Sequence, residues 1–313
     1  MEEEIIISGR MNPMVDPTLN LWGWEIAFYL FTGGLAAGVL FFASLFYLKG
    51  KEQVYPAAIK WAPMIAPVAL ILGLVALFMD LHHKMYFWRL YTNIRLESPM
   101  SWGAWTLMVI TPLSMLWSAT YIKDIFPNWD WKFKWANDLV DYFIKHRKVL
   151  AWIMVFYSVI LGIYTGILLS AFNARPLWNT SILGPLFLAS GMSAGAAMIM
   201  LMSKNKLERK LFSQIDLLII GIELFLIIHM FMGLLASTEV QIEAARMFLG
   251  GQYTLPFWIF VVFIGMIVPG ILELLELRGQ KIPVLIPVGL ILFGSIMLRF
   301  IIVYAGQASR YLY

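Results

Sequence analysis

Eight apolar runs, each long enough to cross a bilayer as a helix, constrain this protein more than anything else in it. They lie at roughly 23–48, 60–80, 102–122, 149–171, 180–202, 215–236, 255–276 and 283–304. A hydrocarbon core of about 30 Å is crossed by about 20 helical residues, and a helix is the element that satisfies its own backbone on such a length in lipid. The runs and their short connections use nearly all 313 residues, which leaves no segment for a sizeable soluble domain. Charged residues are 13% of the sequence, against about 25% in soluble domains. Lipid demands that deficit, because a charge at the bilayer centre is strongly disfavoured. The expected fold is therefore all-α and integral to a membrane, with about eight transmembrane helices.

The net charge of +4 is no sign of a nucleic-acid partner, because the basic residues sit in loops, where they set orientation. The first, third, fifth and seventh loops carry fifteen of them: Lys49, Lys51 and Lys60; Lys123, Lys132, Lys134, Lys145, Arg147 and Lys148; Lys204, Lys206, Arg209 and Lys210; Arg278 and Lys281. The termini and even loops carry seven: Arg10, Lys84, Arg89, Arg95, Arg175, Arg246 and Arg310. The positive-inside rule then expects a multi-pass protein of the cytoplasmic membrane with both termini extracytoplasmic. Met1 to Arg10 begins with three glutamates and has no basic region or cleavage site, so no cleaved signal peptide is expected. Aromatic residues near span ends (Trp22, Trp24, Trp88, Trp102, Trp105, Trp178, Trp258) match an interfacial belt. The sequence has no cysteine, which excludes disulfides, cysteine-ligated zinc and an iron–sulfur cluster held by this protein.

A short internal repeat is present. Gly33-Gly34-Leu35-Ala36-Ala37-Gly38 in the first run matches Ser190-Gly191-Met192-Ser193-Ala194-Gly195 in the fifth, and both contain Gly-x-x-x-Gly, a spacing that lets helices approach closely. An offset of four spans suggests two four-helix bundles in parallel relation, residues 1–171 and 172–313. Chance similarity among small residues, which are common in membrane helices, is the competing reading.

Ionisable residues within the runs are the best functional pointers. Those noted are Glu25, Asp80, Glu223, His229, Glu273, Glu276 and Arg299. Glu25, Asp80 with the following His82-His83-Lys84, Tyr164, Asn173 and Arg175 come from different spans but share one depth near the outer surface. Such a polar pocket in an apolar wall suits a quinone ring, whose carbonyl oxygens need donors and whose chemistry needs a proton path. Each residue also has a plainer reading. Glu25 and Asp80 reach interfacial water, His82 and His83 belong to a loop, Tyr164 is a packed aromatic, and Arg175 is a lone loop charge. Glu223 and His229, six apart, do not share a helical face. Glu273 and Glu276 are expected to face water, and Arg299 to snorkel or pair with a carboxylate. Haem is not expected: two haems need about four axial histidines in spans, and of the four here only His229 is clearly intramembrane.

At this point the sequence resembles a known family. Trp22-Gly23-Trp24-Glu25 through Gly33-Gly34-Leu35-Ala36-Ala37-Gly38 is similar to the first helix of the NrfD/PsrC family, the membrane subunits of polysulfide reductase and related respiratory complexes. Ser98-Pro99-Met100-Ser101-Trp102-Gly103-Ala104-Trp105, Gly162-Ile163-Tyr164-Thr165-Gly166, Arg175-Pro176-Leu177-Trp178-Asn179, Leu186 through Ala196, and Leu298-Arg299-Phe300 with Tyr304-Ala305-Gly306-Gln307 also agree, in order along the sequence. The family often carries a Gly-Arg-Pro type segment after the acidic end of the second span, where this protein has His82-His83-Lys84.

The resemblance implies a subunit that binds a quinone, often menaquinone, near the outer surface. It implies electron exchange with an iron–sulfur electron-transfer subunit, itself partnered by a molybdopterin catalytic subunit. Sulfur or polysulfide reduction is the expected pathway. A family tyrosine in the fourth span matches Tyr164. The expected reacting groups are Tyr164, Glu25 and Asp80, and the expected quinone contacts are Tyr164, His82, Asn173, Arg175 and Trp105, with the site in the N-terminal bundle. Two other classes stay open: a purely structural anchor, and a proton- or ion-translocating module using Glu223 and His229.

Overall fold

The computed structural model describes residues 22–129 and 133–309. Arg10, Lys132 and Arg310, counted above for orientation, lie outside the described residues, as does the segment Met1–Arg10. The described residues are helical, with no strand among them. Eight helices are long and apolar enough to span a membrane. They are α1 (Trp24–Leu48), α2 (Ala57–Asp80), α4 (Pro99–Ile125), α6 (Arg147–Ser170), α7 (Leu183–Met202), α8 (Lys206–Leu235), α10 (Pro256–Leu277) and α11 (Leu285–Ala308). Three short helices connect them: α3 (Arg89–Thr92), α5 (Lys134–Lys145) and α9 (Glu239–Arg246). The protein is a multi-pass membrane protein. One face of the bundle, the Trp22 face, gathers the start of α1 and the end of α11. There Trp22 N donates to Gln307 Oε1 and Gln307 Nε2 donates back to Trp22 O, both at 2.9 Å. The opposite face is the Lys49 face.

The helices match the apolar runs to within a few residues except at α8, which begins nine residues ahead of its run. Asn205 starts it by accepting from Leu207 N at 2.9 Å, a side-chain N-cap, so the charged turn Lys206–Lys210 is helical too. One of those charges is not at the surface. Glu208 is fully buried. It accepts from Ala58 N (2.8 Å), Ala57 N (3.3 Å) and Ser203 Oγ (2.7 Å). The first turns of α2 are irregular, a wide turn at Ala57–Trp61 followed by a tight one at Ala62–Met64, because Pro63 breaks the ladder of backbone donors. Glu208 supplies the acceptor that this end of α2 lacks.

α1 and α7 are the central helices. α1 packs against α2, α6, α7 and α11, and α7 against α1, α6, α8 and α11. α4 closes on α2 and α6, and α10 on α8 and α11. The two Gly-x-x-x-Gly segments, similar in sequence, are each other's partners in space. A Cβ on Gly191 would stand 2.6 Å from Gly34 O, one on Gly195 would stand 2.5 Å from Gly38 C, and one on Gly38 would overlap Gly191 O. Residue numbers rise together along this contact, so α1 and α7 run parallel. In lipid, where tails are as apolar as side chains, backbone-to-backbone contact through small residues is what holds helices together.

At the Lys49 face, Lys60 of α2 contacts Asp124 at 2.8 Å and Glu52 at 3.5 Å. Arg147, at the start of α6, lies 4.0 Å over the Tyr121 ring and donates to Thr120 O. These partly exposed contacts tie α2, α4 and α6 together, though exposed ion pairs contribute at most about 1 kcal/mol each.

Two outcomes follow for stability. Gly38→Ala is expected to lower the thermal midpoint of the detergent-purified protein, by the 1–3 kcal/mol or so typical of overpacking. Gly289→Ala, on α11 with nothing within 4 Å of the added carbon, is expected to leave it unchanged; equal midpoints for the two variants would show the seam to be loose. Glu208→Ala leaves the buried N–H groups of Ala57 and Ala58 without their acceptor and is expected to cost about 2–3 kcal/mol in the same assay.

Candidate functional site

Tyr164 sits on α6 between Gly162 and Gly166. Its ring is directed at α4, where Gly103 makes room for it: a Cβ on Gly103 would overlap the Tyr164 ring and hydroxyl. Tyr29 of α1 reaches the same point, and its hydroxyl and that of Tyr164 lie near enough to influence each other. Both side chains are buried, at 2% and 7% exposure. They close one end of a cavity of about 180 Å³ that Asp80 and Tyr91 also line, with apolar walls from Ile26, Leu77 and Leu107. Tyr91, on the short α3, is half-buried, and burial raises its phenol above the ordinary 10.0, so it remains a donor at neutral pH.

A second cavity, of about 510 Å³, meets Tyr164 from the other side. It runs between α4 and α6 and is lined by Trp102, Val159, Ile160, Ile163 and Ile167, with Glu97 at its rim. The flanking residues Met100, Trp102, Phe156 and Ile167 are exposed, on the surface that faces lipid. Tyr164 thus stands between a small chamber with a few polar groups in its wall and an apolar groove on the lipid-facing surface.

Of the residues singled out in the sequence, Tyr164 and Asp80 line the chamber. Glu25 and His82 lie within electrostatic range of Asp80, at its rim, with Glu25 partly buried and His82 exposed. Trp105 stands behind α3, its Nε1 donating to Tyr91 O at 3.4 Å. Arg175 is elsewhere: it donates to Gln307 O (3.1 Å) and Ser309 O (2.9 Å), closing the end of α11. Asn173 is exposed on the loop between α6 and α7, and neither it nor Arg175 lines the chamber. Tyr29 and Tyr91 carry no such signal in the sequence. A tyrosine five residues into an apolar helix reads as an interfacial aromatic, and only the packing of α1 on α6 turns it inward.

The second half bears on three expectations. Glu273 does not face water: it is fully buried against α8. Arg299 does not snorkel. It is fully buried and donates to Ser190 Oγ (2.8 Å), Ser295 Oγ (2.7 Å), Ser295 O (2.7 Å) and Phe187 O (3.2 Å), with Glu223 as its nearest opposing charge. His229 points outward, its Nδ1 held by Phe225 O at 3.0 Å, because six residues turn it about 120° round α8 from Glu223.

Residues 13–309 match the model of the family described as polysulphide reductase, NrfD. The chain belongs to the NrfD family. Among its relatives, Protein NrfD of Escherichia coli is 32% identical over 309 residues, covering 92% of this chain and 96% of that protein. A chain of the polysulfide reductase of Wolinella succinogenes is 31% identical over 301 residues, covering 92% and 94%. A subunit of the selenate reductase of Mesobacillus selenatarsenatis is 23% identical over 334 residues, covering 96% and 77%.

The NrfD-like segments are where the site is built. Trp22–Gly38 carries Tyr29 and one side of the glycine seam, Ser98–Trp105 carries Gly103, and Gly162–Gly166 carries Tyr164. Gly103 is a positioning residue, since its missing side chain is what admits the Tyr164 ring. Gly103→Ala is expected to turn Tyr164 out of the chamber and away from Tyr29, with the fold retained through the unaltered α1–α7 contact. Ultraviolet resonance Raman bands of the tyrosines, compared with those of Tyr164→Phe, check this; a wild-type tyrosine spectrum in Gly103→Ala would refute it.

Proposed function

We propose that this NrfD-family protein is the quinone-reactive membrane subunit of a respiratory oxidoreductase of the polysulfide or sulfur reductase kind. It would pass electrons between the quinone pool, menaquinone in the first instance, and an iron–sulfur subunit that serves a molybdopterin catalytic subunit. The names of the relatives, which are parts of reductases, support a membrane subunit of an oxidoreductase. The observation that carries the quinone reading is the placing of Tyr164, with Tyr29 beside it, in the wall shared by a small chamber and a lipid-facing groove.

The residues fit such a ligand. A quinone is a flat apolar ring with carbonyl oxygens and a long apolar tail, and it arrives from the bilayer. Binding sites of this kind are mostly apolar with a few placed polar groups. The groove between α4 and α6 offers the apolar surface for a tail, and the chamber offers phenol donors for an oxygen. A bound quinone takes up or releases electrons together with protons. The protein's contribution is to hold an oxygen with Tyr164 and Tyr29 and to keep water out of the tail groove. Protons would pass between the chamber and the Trp22 face through Asp80, Glu25 and His82 at its rim. Tyr91, carried by a loop helix, closes the roof.

On this reading the Trp22 face is extracytoplasmic, with both termini there, as the excess of Lys and Arg at the Lys49 face indicates. The chamber then lies under the face where extracytoplasmic partner subunits dock. We also propose that residues 1–171 and 172–313 form two four-helix halves, the quinone site belonging to the first. The closing of α4 on α2 and α6, and of α10 on α8 and α11, supports that division.

The test is Tyr164→Phe in the assembled complex. Quinol-dependent reduction of the terminal acceptor is expected to fall by about a hundredfold, the scale of a lost proton-transfer or hydrogen-bonding group. Activity driven by a soluble artificial electron donor to the partner subunits should be unchanged. Wild-type quinol activity in the variant would instead identify the protein as a structural anchor.

A further inference from the structure

The second half of the molecule buries ionisable groups that play no part in the chamber around Tyr164. Asp216 of α8 and Glu273 of α10 are both fully buried and face each other. Neither oxygen of either carboxyl group has a hydrogen bond of good geometry within the protein. Two helical turns further along α8, on the same face, Glu223 is 2% exposed, with Oε1 also unpartnered. The wall opposite is α7, which brings no ionisable side chain but two hydroxyls one turn apart: Ser193 faces Asp216 and Ser190 faces Glu223. α11 brings Arg299, whose guanidinium donates to Ser190 Oγ and faces Glu223. α10 brings Glu276 besides Glu273, and the start of α8 brings Lys206, Arg209 and Lys210.

A cavity of about 440 Å³ opens at the Lys49 face beneath this column. Its rim is Lys206, Arg209, Lys210 and Lys281, and its inner wall includes Ser213 and Glu276. Ser213 is 2% exposed and its Oγ has no hydrogen-bond partner within the protein. It stands one turn from Asp216, and Glu276 stands one turn from Glu273. The cavity therefore ends where the buried carboxyl pair begins.

Buried polar groups are nearly always partnered, and an unpaired buried charge is strongly disfavoured. Two carboxyl groups sharing a site out of water do not both ionise. Five unpartnered carboxyl oxygens in one column make poor structural glue but suit groups whose protons come and go.

We propose that Asp216, Glu273 and Glu223 form a proton relay that opens to water through the cavity at the Lys49 face and ends at Arg299, against the α1–α7 seam. Each step breaks one carboxyl O–H bond and makes another on the acceptor carboxylate. Ser193 and Ser190 hydroxyls, able to donate and accept at once, stand between the carboxyls. The donor is reprotonated from water in the cavity, and no electron moves. When Glu223 passes its proton back along the column to water in the cavity, Arg299 offsets the charge left behind. This inference stands apart from the quinone reading, because none of its residues touches the Tyr29–Tyr164 chamber.

The test uses the purified full-length protein in lipid nanodiscs, without quinone or partner subunits. Infrared difference spectra on transfer from H₂O to D₂O read the carbonyl stretch of protonated carboxylic acids. Wild type is expected to show such bands at neutral pH and to exchange them within minutes. Asp216→Asn, Glu273→Gln and Glu223→Gln should each remove intensity, with Asp80→Asn as the control for the chamber. Ser213→Leu, which blocks the mouth, should slow exchange about tenfold or more, as a modestly raised barrier would. Absence of protonated-carboxyl bands in wild type overturns the proposal without recourse to any variant. So do bands that fail to exchange over hours, which would mark static structural acids, and bands that change only when sodium replaces potassium, which would mark a cation site.

Discussion

The backbones of α1 and α7 touch, and the rest of the structure is arranged around that contact. Gly34, Gly38, Gly191 and Gly195 leave no side chain between the two helices, so the helices lock by shape in a solvent that gives apolar side chains no reason to prefer each other over lipid. The lock also sets helix rotation. Successive residues on a helix are about 100° apart. Turning the glycines of α1 toward α7 carries Tyr29 round to α6 and Tyr164. Turning the glycines of α7 toward α1 carries Ser190 and Ser193 round to α8 and α11. One contact thus presents hydroxyls to two separate sets of buried polar groups, the chamber around Tyr164 and the carboxyl column of α8 and α10.

Arg299 shows how tightly the seam is built. A fully buried guanidinium is tolerated only when its donors are satisfied and its charge is answered. Here four acceptors from α7 and α11 meet the two terminal nitrogens while Nε has none, the Phe187 ring lies 5.1 Å from the guanidinium carbon, and Glu223 faces it from α8. A Cβ on Gly34 would stand 2.8 Å from Arg299 Nη2, so the same small residue that admits α7 also admits the cation. The buried charge and the close helix contact depend on each other: the arginine needs acceptors from α7, and it reaches them only because α1 carries no side chain in the way.

The eight spans are legible in the sequence because a bilayer imposes a length and a hydropathy that show residue by residue. Tyr164 is legible through its glycine-flanked segment, and Asp80 because a carboxyl at the end of an apolar run stands out. Burial is harder to read. Glu273 and Glu276 look alike in the sequence, three residues apart near the end of a span. One is sealed between α8 and α10 while the other lines a cavity, and only the packing of α10 on α8 separates them. Asp216 is hidden for a related reason: it follows the charged turn Lys206–Lys210, which reads as surface, although α8 is helical and inserted from that turn onward. Even the repeat is visible only as similarity. That its two copies meet face to face is a property of the assembled helices.

The seam also constrains how the two halves can communicate. Rocking or sliding of α1 and its neighbours against α7 and its neighbours requires an interface that can shift by about a residue. At this one, a shift by the 1.5 Å or so of rise per residue would drive the Gly38 backbone against side-chain-bearing positions of α7, where it already lies against the Met192 backbone. Movement at the seam is therefore confined to side chains. If electrons react at Tyr29 and Tyr164 and protons move past Glu223, the link between them is electrostatic and local, through the Ser190–Arg299 contact beside Gly34, about a turn and a half along α1 from Tyr29. A cation held at that point feels a charge change on either side without any backbone displacement, and the fold holds it there by the glycines that make the seam.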